Sequence, residues 1–416
     1  MILKQFTIYL LLLAPILSIG QKSYSIQQCE DLFRKNNLSI LAEQYNIDLA
    51  KANEIQAKIW DLPYISGEFN AINPQYHNVL DVGKYGQKAF AIQQLIYLGG
   101  KKQKEVDFAK ANTAIATLQF EQLVRNLKYQ LNTDFYNIYF DQKKIKTLDF
   151  QIVKLDTLLN SYVVQSDKGN IPLKEVVRLQ SLILSLKSDR NSLQKDIVEK
   201  IQELNLIIGE TDTIVPVVNE NEISNKFTIP KILKDSIISQ SLQKNPEYLT
   251  FVKISESQDL YLKWQKSLAV PDLTAGISYD QRGGAFLNQI NFTFGIPIPL
   301  WNKNKGNIKA AEVLVNQSAV NLNYKKLELE NQIETAWKLW NLQYNQFSSI
   351  NMNVYSDLES VYKGIIANFE KRNITLLEFT DFIESYNLSN MQLNEFKKLW
   401  ILSGIQLNYV SNLEVF

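Results

Sequence analysis

Few side chains in this sequence are suited to covalent or metal chemistry. One residue is histidine, His77, and one is cysteine, Cys29. A single imidazole argues against a His-based triad or a zinc site of several imidazoles, and a single thiol excludes an internal disulfide framework or a multi-thiolate site. No nucleophile and base are paired by any recognisable spacing, so no enzyme activity, cofactor or metal-ligand set is assigned. His77 lies in the loop INPQYHNVLDVGKYG, where a solvated imidazole is the simplest reading. What remains is charge at helical spacing. Glu378 and Asp381 in TLLEFTD stand three apart, share one face of a helix, and together would attract cations. A solvated helix face has the same appearance, and spacing alone leaves both readings open.

The charges balance, with 44 Lys and Arg against 43 Asp and Glu for a net +1, which argues against a nucleic-acid partner. An apolar share of 45% is that of a folded chain. Residues 1–20, MILKQFTIYLLLLAPILSIG, carry one early charge, an apolar run too short to span a bilayer, and small residues at Ser18 and Gly20. This is the pattern of a secretory signal cleaved after Gly20, with a buried N-terminal helix as the alternative. Cys29 lies well past that run and reads as a helix residue rather than a lipid anchor.

The elements that must position these groups are marked by Gly and Pro. Ten of 15 Gly and five of ten Pro fall within 63–100 and 271–306, whereas 75–171, 173–215 and 300–416 contain no Pro. Pro costs about 3 kcal/mol inside a helix, so such runs permit very long ones. Leu173, Val176, Leu179, Ile183 and Leu186 keep a three-four rhythm, as do Ile197, Ile201, Leu204 and Ile208, and again Leu376, Phe379, Phe382 and Tyr386. Continuous helices over 101–163 and 307–368 would each reach roughly 95 Å, which suggests a coiled-coil or tube-like assembly.

The two Gly/Pro windows read as β-hairpins. LTAGISYD (273–280) and INFTFGI (290–296) alternate strictly, with Leu273, Ala275, Ile277, Tyr279, Ile290, Phe292, Phe294 and Ile296 on one face. Small uncharged residues dominate the other face, and the turn is expected over Asp280–Asn288. The first hairpin, about 64–73 and 87–97, is less regular because Gln94 interrupts its apolar face.

The two halves repeat one another. Asn37 and Pro63 match Asn245 and Pro271 at an offset of 208; Tyr97 matches Trp301 at 204; Asn170, Leu173 and Glu175 match Asn373, Leu376 and Glu378 at 203. The fold expected is therefore mainly α with a small β part. The first repeat covers 21–208, with a hairpin at about 64–97 and a long helical hairpin at 101–208. A linker, 209–230, leads to a second repeat over 231–416, with a hairpin at about 272–299 and a helical hairpin at 305–409. Four strands from one chain leave two open edges, which a bilayer forbids, whereas three copies supply twelve strands, a number found in closed outer-membrane barrels.

This order of elements resembles the TolC-like outer-membrane efflux family over essentially all of the mature chain. The most specific string is PIPLWNKNKGNIKAAE (297–312), which looks like the family's exit from strand to helix. The form with Pro297, Pro299, Leu300, Trp301, Asn302, Asn304 and Gly306 is closest to the CzcC-like branch, which serves heavy-metal exporters of the RND type. Physically, Pro297 and Pro299 would end sheet pairing and Gly306 would permit unusual dihedrals at the bend. The resemblance implies a homotrimer with a 12-stranded barrel in outer-membrane lipid and a periplasmic helical tunnel. It implies a passive duct that works with a periplasmic adaptor and an inner-membrane RND-type transporter. It also implies that Glu378 and Asp381 form acidic rings at the periplasmic aperture. Gly169, Asn170, Arg372 and Asn373 would lie at helix tips that meet the adaptor, Glu175 would repeat one acid of the pair in the first half, and Arg178, Arg372 and Lys371 are candidates for locking contacts between neighbouring tip helices. A duct for drug efflux or type I secretion, and a secreted coiled-coil protein without a pore, are the alternatives.

Overall fold

The computed structural model describes residues 22–283, 285–301, 303–350 and 353–416; the expected signal at 1–20 lies outside them. The first half runs β1 (Lys22–Tyr24), α1 (Ile26–Asn36), α2 (Leu38–Lys58), β2 (Tyr64–Phe69), β3 (Ile72–Asn73), β4 (Asn78–Val79), β5 (Gln87–Ile96), α3 (Lys101–Asp167) and α4 (Leu173–Ile208). Then follow β6 (Ile214–Pro216), α5 (Glu220–Thr228), α6 (Lys234–Lys244), α7 (Pro246–Leu268), β7 (Leu273–Arg282), β8 (Phe286–Gly295), α8 (Lys305–Ser348), α9 (Asn353–Glu370) and α10 (Leu376–Ser411). The chain forms two compact units: the residues up to Ile40 with Leu123–Ser241 and Asn331–Phe416, and Leu41–Gln122 with Leu242–Glu330.

Helix α3 runs for 67 residues with neither Gly nor Pro, as the Pro-free run suggests. The helix expected over 307–368 is not continuous: α8 stops at Ser348 and α9 begins at Asn353. At that stop the hydroxyls of Ser348 and Ser349 donate to the carbonyls of Asn345 (3.2 Å) and Gln346 (2.8 Å). The repeated asparagine has the same physical role in both halves. The side chain of Asn37 accepts from the backbone N–H of Ile40 (2.9 Å) and that of Asn245 from Tyr248 (3.1 Å), each capping a helix start.

In the first unit, α3, α4, α9 and α10 share one core, with Leu148, Leu155, Leu179, Ile183, Phe369 and Phe379 among its buried members. Of the apolar rhythm read from α4, Leu179, Ile183 and Leu186 join this core, Val176, Ile197, Leu204 and Ile208 are buried, Ile201 is half-buried, and Leu173, in the first turn, remains exposed. The chain end belongs to the same unit. Phe416 packs on Trp340 (4.8 Å between ring centroids) and Phe227 (5.6 Å), and the side-chain oxygen of Asn408 accepts from the Val415 and Phe416 amides. It is a core residue of the helical unit and not part of a strand.

The linker is held to this unit by charge. Glu220, first residue of α5, accepts from Lys143 (2.6 Å), Tyr139 (2.7 Å) and Lys397 (2.8 Å). Burial opposes ionisation of this carboxyl, but the three donors outweigh it and hold its pKa at about 2. A depressed pKa gives stability that is full above the unfolded value of about 4.3 and is lost as pH falls toward 2. We expect the unfolding temperature of the protein in detergent to fall across that window, and the corresponding loss to be absent in Glu220→Gln. Glu220→Ala leaves Lys143 and Lys397 facing each other without a counter-ion and should cost about 2 kcal/mol, less than the 3–5 of a fully buried pair.

Candidate functional site

Two regions carry the residues of interest. The first is a four-stranded antiparallel sheet in the second unit, with strand order β2-β5-β7-β8. Its register aligns apolar residues in rows. Ile65 pairs with Ile92, Ile92 with Ile277, and Ile277 with Phe292; Gly67, Phe90, Tyr279 and Ile290 form the next row on that face. The intervening row, on the opposite face, is Ser66, Ala91, Ser278 and Asn291. One face is thus a band of large apolar groups and the other a field of small and polar ones. The apolar band is open to its surroundings, with Phe292 at 84% exposure. No strand among the described residues pairs with the outer edge of β2 or of β8. β7 and β8 are each ten residues long, roughly 33 Å of extended chain.

The hairpins differ in detail from their sequence expectation. β2 ends at Phe69, and Ile72–Asn73 pairs instead with Asn78–Val79 in a small hairpin of its own, whose turn carries the exposed His77. β7 continues to Arg282 and β8 begins at Phe286, so the turn is shorter than 280–288. Gln94 is satisfied where it interrupts the apolar face, donating to the carbonyls of Asp61 (2.9 Å) and Leu95 (3.0 Å).

The strand exits also need correction. β8 pairs no further than Gly295, before Pro297 and Pro299, and Leu300 and Trp301 follow as exposed residues. Gly306 is an ordinary helical residue at the start of α8 and not the bend. The left-handed residue is Asn304 (φ 55°), whose amide donates to the Gln265 carbonyl (2.8 Å). Asn tolerates this conformation better than most residues, and its side-chain oxygen also accepts locally from the Asn307 side chain (2.7 Å). In the first half the same task falls to Gly99 (φ 69°) and Gly100 (φ 68°).

Sequence reasoning missed Asp272. Its carboxylate accepts from the backbone of Leu98 (3.1 Å) and pairs with the buried ammonium of Lys101 (2.7 Å), tying the end of the first hairpin to the start of the second. Asp272→Ala strands that ammonium and should destabilise by about 3 kcal/mol, read as a lower unfolding temperature; Lys101→Met beside Asp272→Leu should recover most of it. Also missed were two exposed apolar stripes in this unit: Leu41, Tyr45, Leu49 and Ile55 on α2, and Val313, Val320, Tyr324 and Leu327 on α8. Their helical spacing was a readable signal.

The second region is the pair of helix turns in the first unit. Residues 168–172 join α3 to α4, and 371–375 join α9 to α10. They share one hydrogen-bond pattern. Asn170 donates its backbone N–H to the Gln165 carbonyl (2.9 Å) and its side chain to the Gln165 side chain (2.8 Å). Asn373 does the same with Asn368, at 2.9 and 3.2 Å. Gly169 (φ 73°) is left-handed, and its counterpart is Arg372 (φ 61°).

Thr375 and Glu378 form a capping box, in which the Glu378 carboxylate accepts from the backbone and the hydroxyl of Thr375, both at 2.8 Å. Those bonds hold its pKa below the usual carboxylate value. Asp381 lies one turn on, and both are exposed. Glu175 faces Arg178 of its own helix at 3.9 Å. Among the described residues no three His, Cys, Asp or Glu side chains cluster as a metal site, and no helix is long and apolar enough to cross a membrane.

No protein-family model and no curated protein sequence matches the chain. Solved structures do. CusC, studied for the changes accompanying folding and transmembrane channel formation, aligns with a TM-score of 0.74 at 16% identity over 93% of this chain and 91% of its own. A membrane protein from Pseudomonas aeruginosa aligns at 0.74 and 12% identity over 93% and 92%. The Campylobacter jejuni CmeC outer membrane channel aligns at 0.72 and 14% over 93% and 85%. The chain has the fold of these proteins, as the TolC-like resemblance implied.

Proposed function

We propose that this protein is the outer-membrane exit duct of a tripartite efflux system, a passive homotrimeric channel and not an enzyme. The observation that carries the reading is the sheet. Its apolar rows are exposed while both edges lack partners among the described residues, an arrangement that water and lipid alike disfavour in a lone chain. Three copies joined β8 to β2 form a closed wall of twelve strands, apolar outside and lined by small polar residues within. The stripes on α2 and α8 give the helices of neighbouring copies apolar surface to share. Likeness of fold to proteins described as outer membrane channels supports the same location.

The helical unit then reaches into the periplasm, and the turns at Gly169–Asn170 and Arg372–Asn373 are offered to an adaptor. Glu378 and Asp381 ring the aperture, and an inner-membrane RND transporter supplies the driving force. Heavy-metal cations are the cargo favoured by the exit string around Pro297, Pro299 and Trp301. The test is extraction from outer membranes in detergent, followed by mass measurement and planar-bilayer conductance. The expected particle is about three times the 48.0 kDa chain and conducts ions. A monomer soluble without detergent overturns the reading.

A further inference from the structure

The two strand exits match in sequence but differ in how they use their lysines. In the first, each of the three lysines after Tyr97 is engaged: Lys101 with Asp272 (2.7 Å), Lys102 with Glu105 (3.0 Å), and Lys104 with the Gly99 carbonyl (2.8 Å). In the second, Lys309 pairs with Glu312 (3.3 Å), but Lys303 and Lys305 are exposed and have no ion-pair partner among the described residues. Immediately before them Ile298, Leu300 and Trp301 stand out from the chain, Trp301 at 92% exposure. These apolar residues follow β8 directly in the chain, and two exposed cations without an ion-pair partner among the described residues come straight after them.

We propose that Trp301, Lys303 and Lys305 form a binding site for the head group of an anionic phospholipid in the periplasmic leaflet. The inference rests on the membrane reading of the sheet. An indole carries an apolar body and a polar N–H, the combination that settles at the boundary between acyl chains and head groups. Two ammonium groups beside it complement a phosphodiester, and a lipid bearing a net negative charge gains more from them than a zwitterionic one. A soluble protein partner would not need such exposed apolar residues, with cations beside them, at the end of a membrane-facing strand. The first exit, its lysines already engaged, acts as a structural staple and would not select lipid charge.

Full-length protein in phosphatidylcholine liposomes is titrated with phosphatidylglycerol brominated near the head group, or with phosphatidylcholine brominated alike. Fluorescence quenching that Trp301→Phe abolishes reports Trp301. We expect half-maximal quenching at a lower mole fraction of the anionic lipid, by about fivefold for each lysine and roughly twenty-five-fold for both. Lys303→Gln with Lys305→Gln should bring the two curves together while Trp301 stays quenchable; the double arginine variant should keep them apart. Superimposed curves for the natural protein, or a gap that survives the glutamine variant, overturn the site and leave the membrane reading standing. Absence of Trp301 quenching by either lipid overturns both.

Discussion

Phe292→Arg is expected to abolish recovery of the protein from outer membranes. Phe292 ends the row Ile65–Ile92–Ile277–Phe292 near the middle of β8 and is 84% exposed in the single chain. On the lipid face of a barrel, arginine at the bilayer midplane costs about 2–4 kcal/mol. A trimer carries the change three times, so the assembled channel loses roughly 6–12 kcal/mol. A water-soluble protein with the same coordinates would respond in the opposite way, since replacing an exposed phenylalanine by a charge is worth within about 0.5 kcal/mol and improves solubility. The neighbouring residue is the control. Asn291 pairs with Ser278 on the other face, so Asn291→Arg points into the proposed lumen. It should leave membrane yield near normal and alter ion selectivity. Equal membrane yields for the two variants would refute the assignment of faces.

That contrast was legible in the sequence because it needs only a period of two. Ile290, Phe292 and Phe294 alternate with Asn291 and Thr293 whatever the strand pairs with. The long helices were legible for a similar reason, since absence of Pro over 75–171 is a local fact with a long-range consequence. The misses share a different cause. The stop after Ser348 carries no local mark, since Ser318 within α8 makes the same bond to the carbonyl three residues back without ending the helix. The bend after β8 falls on Asn304 and not Gly306 because a bond to Gln265, 39 residues earlier, selects it. Asp272 joins Leu98 and Lys101 across about half the chain. Contacts set by partners distant in sequence leave no periodicity to read, so the staple and the left-handed residue become visible only once the elements are placed.

The acidic pair at the tip gives the second large effect. If Glu378 and Asp381 ring the aperture, replacing both by Gln and Asn should weaken block by a trivalent cation on the order of a thousandfold and raise conductance. Three carboxylates at about a Debye length, ~8 Å, from a trivalent ion favour its binding about thirtyfold in water after screening, so two rings favour it about a thousandfold. The two positions can be separated because their local duties differ. Glu378 also caps α10, and Gln can serve in the same capping box, so Glu378→Gln removes charge while preserving the helix start. Asp381 makes no such bond, and Asp381→Asn should weaken block by about thirtyfold alone. The pH response should follow the same division. Thr375 lowers the Glu378 pKa, so its charge, and the helix-start stability that depends on it, are full above the unfolded carboxylate range and are lost only as pH falls below it. The residual block of Asp381→Asn channels, carried by Glu378 alone, should therefore persist until pH falls below the ordinary glutamate range. Block that is unchanged in the double variant would remove these residues from the pore and leave them as a solvated helix face.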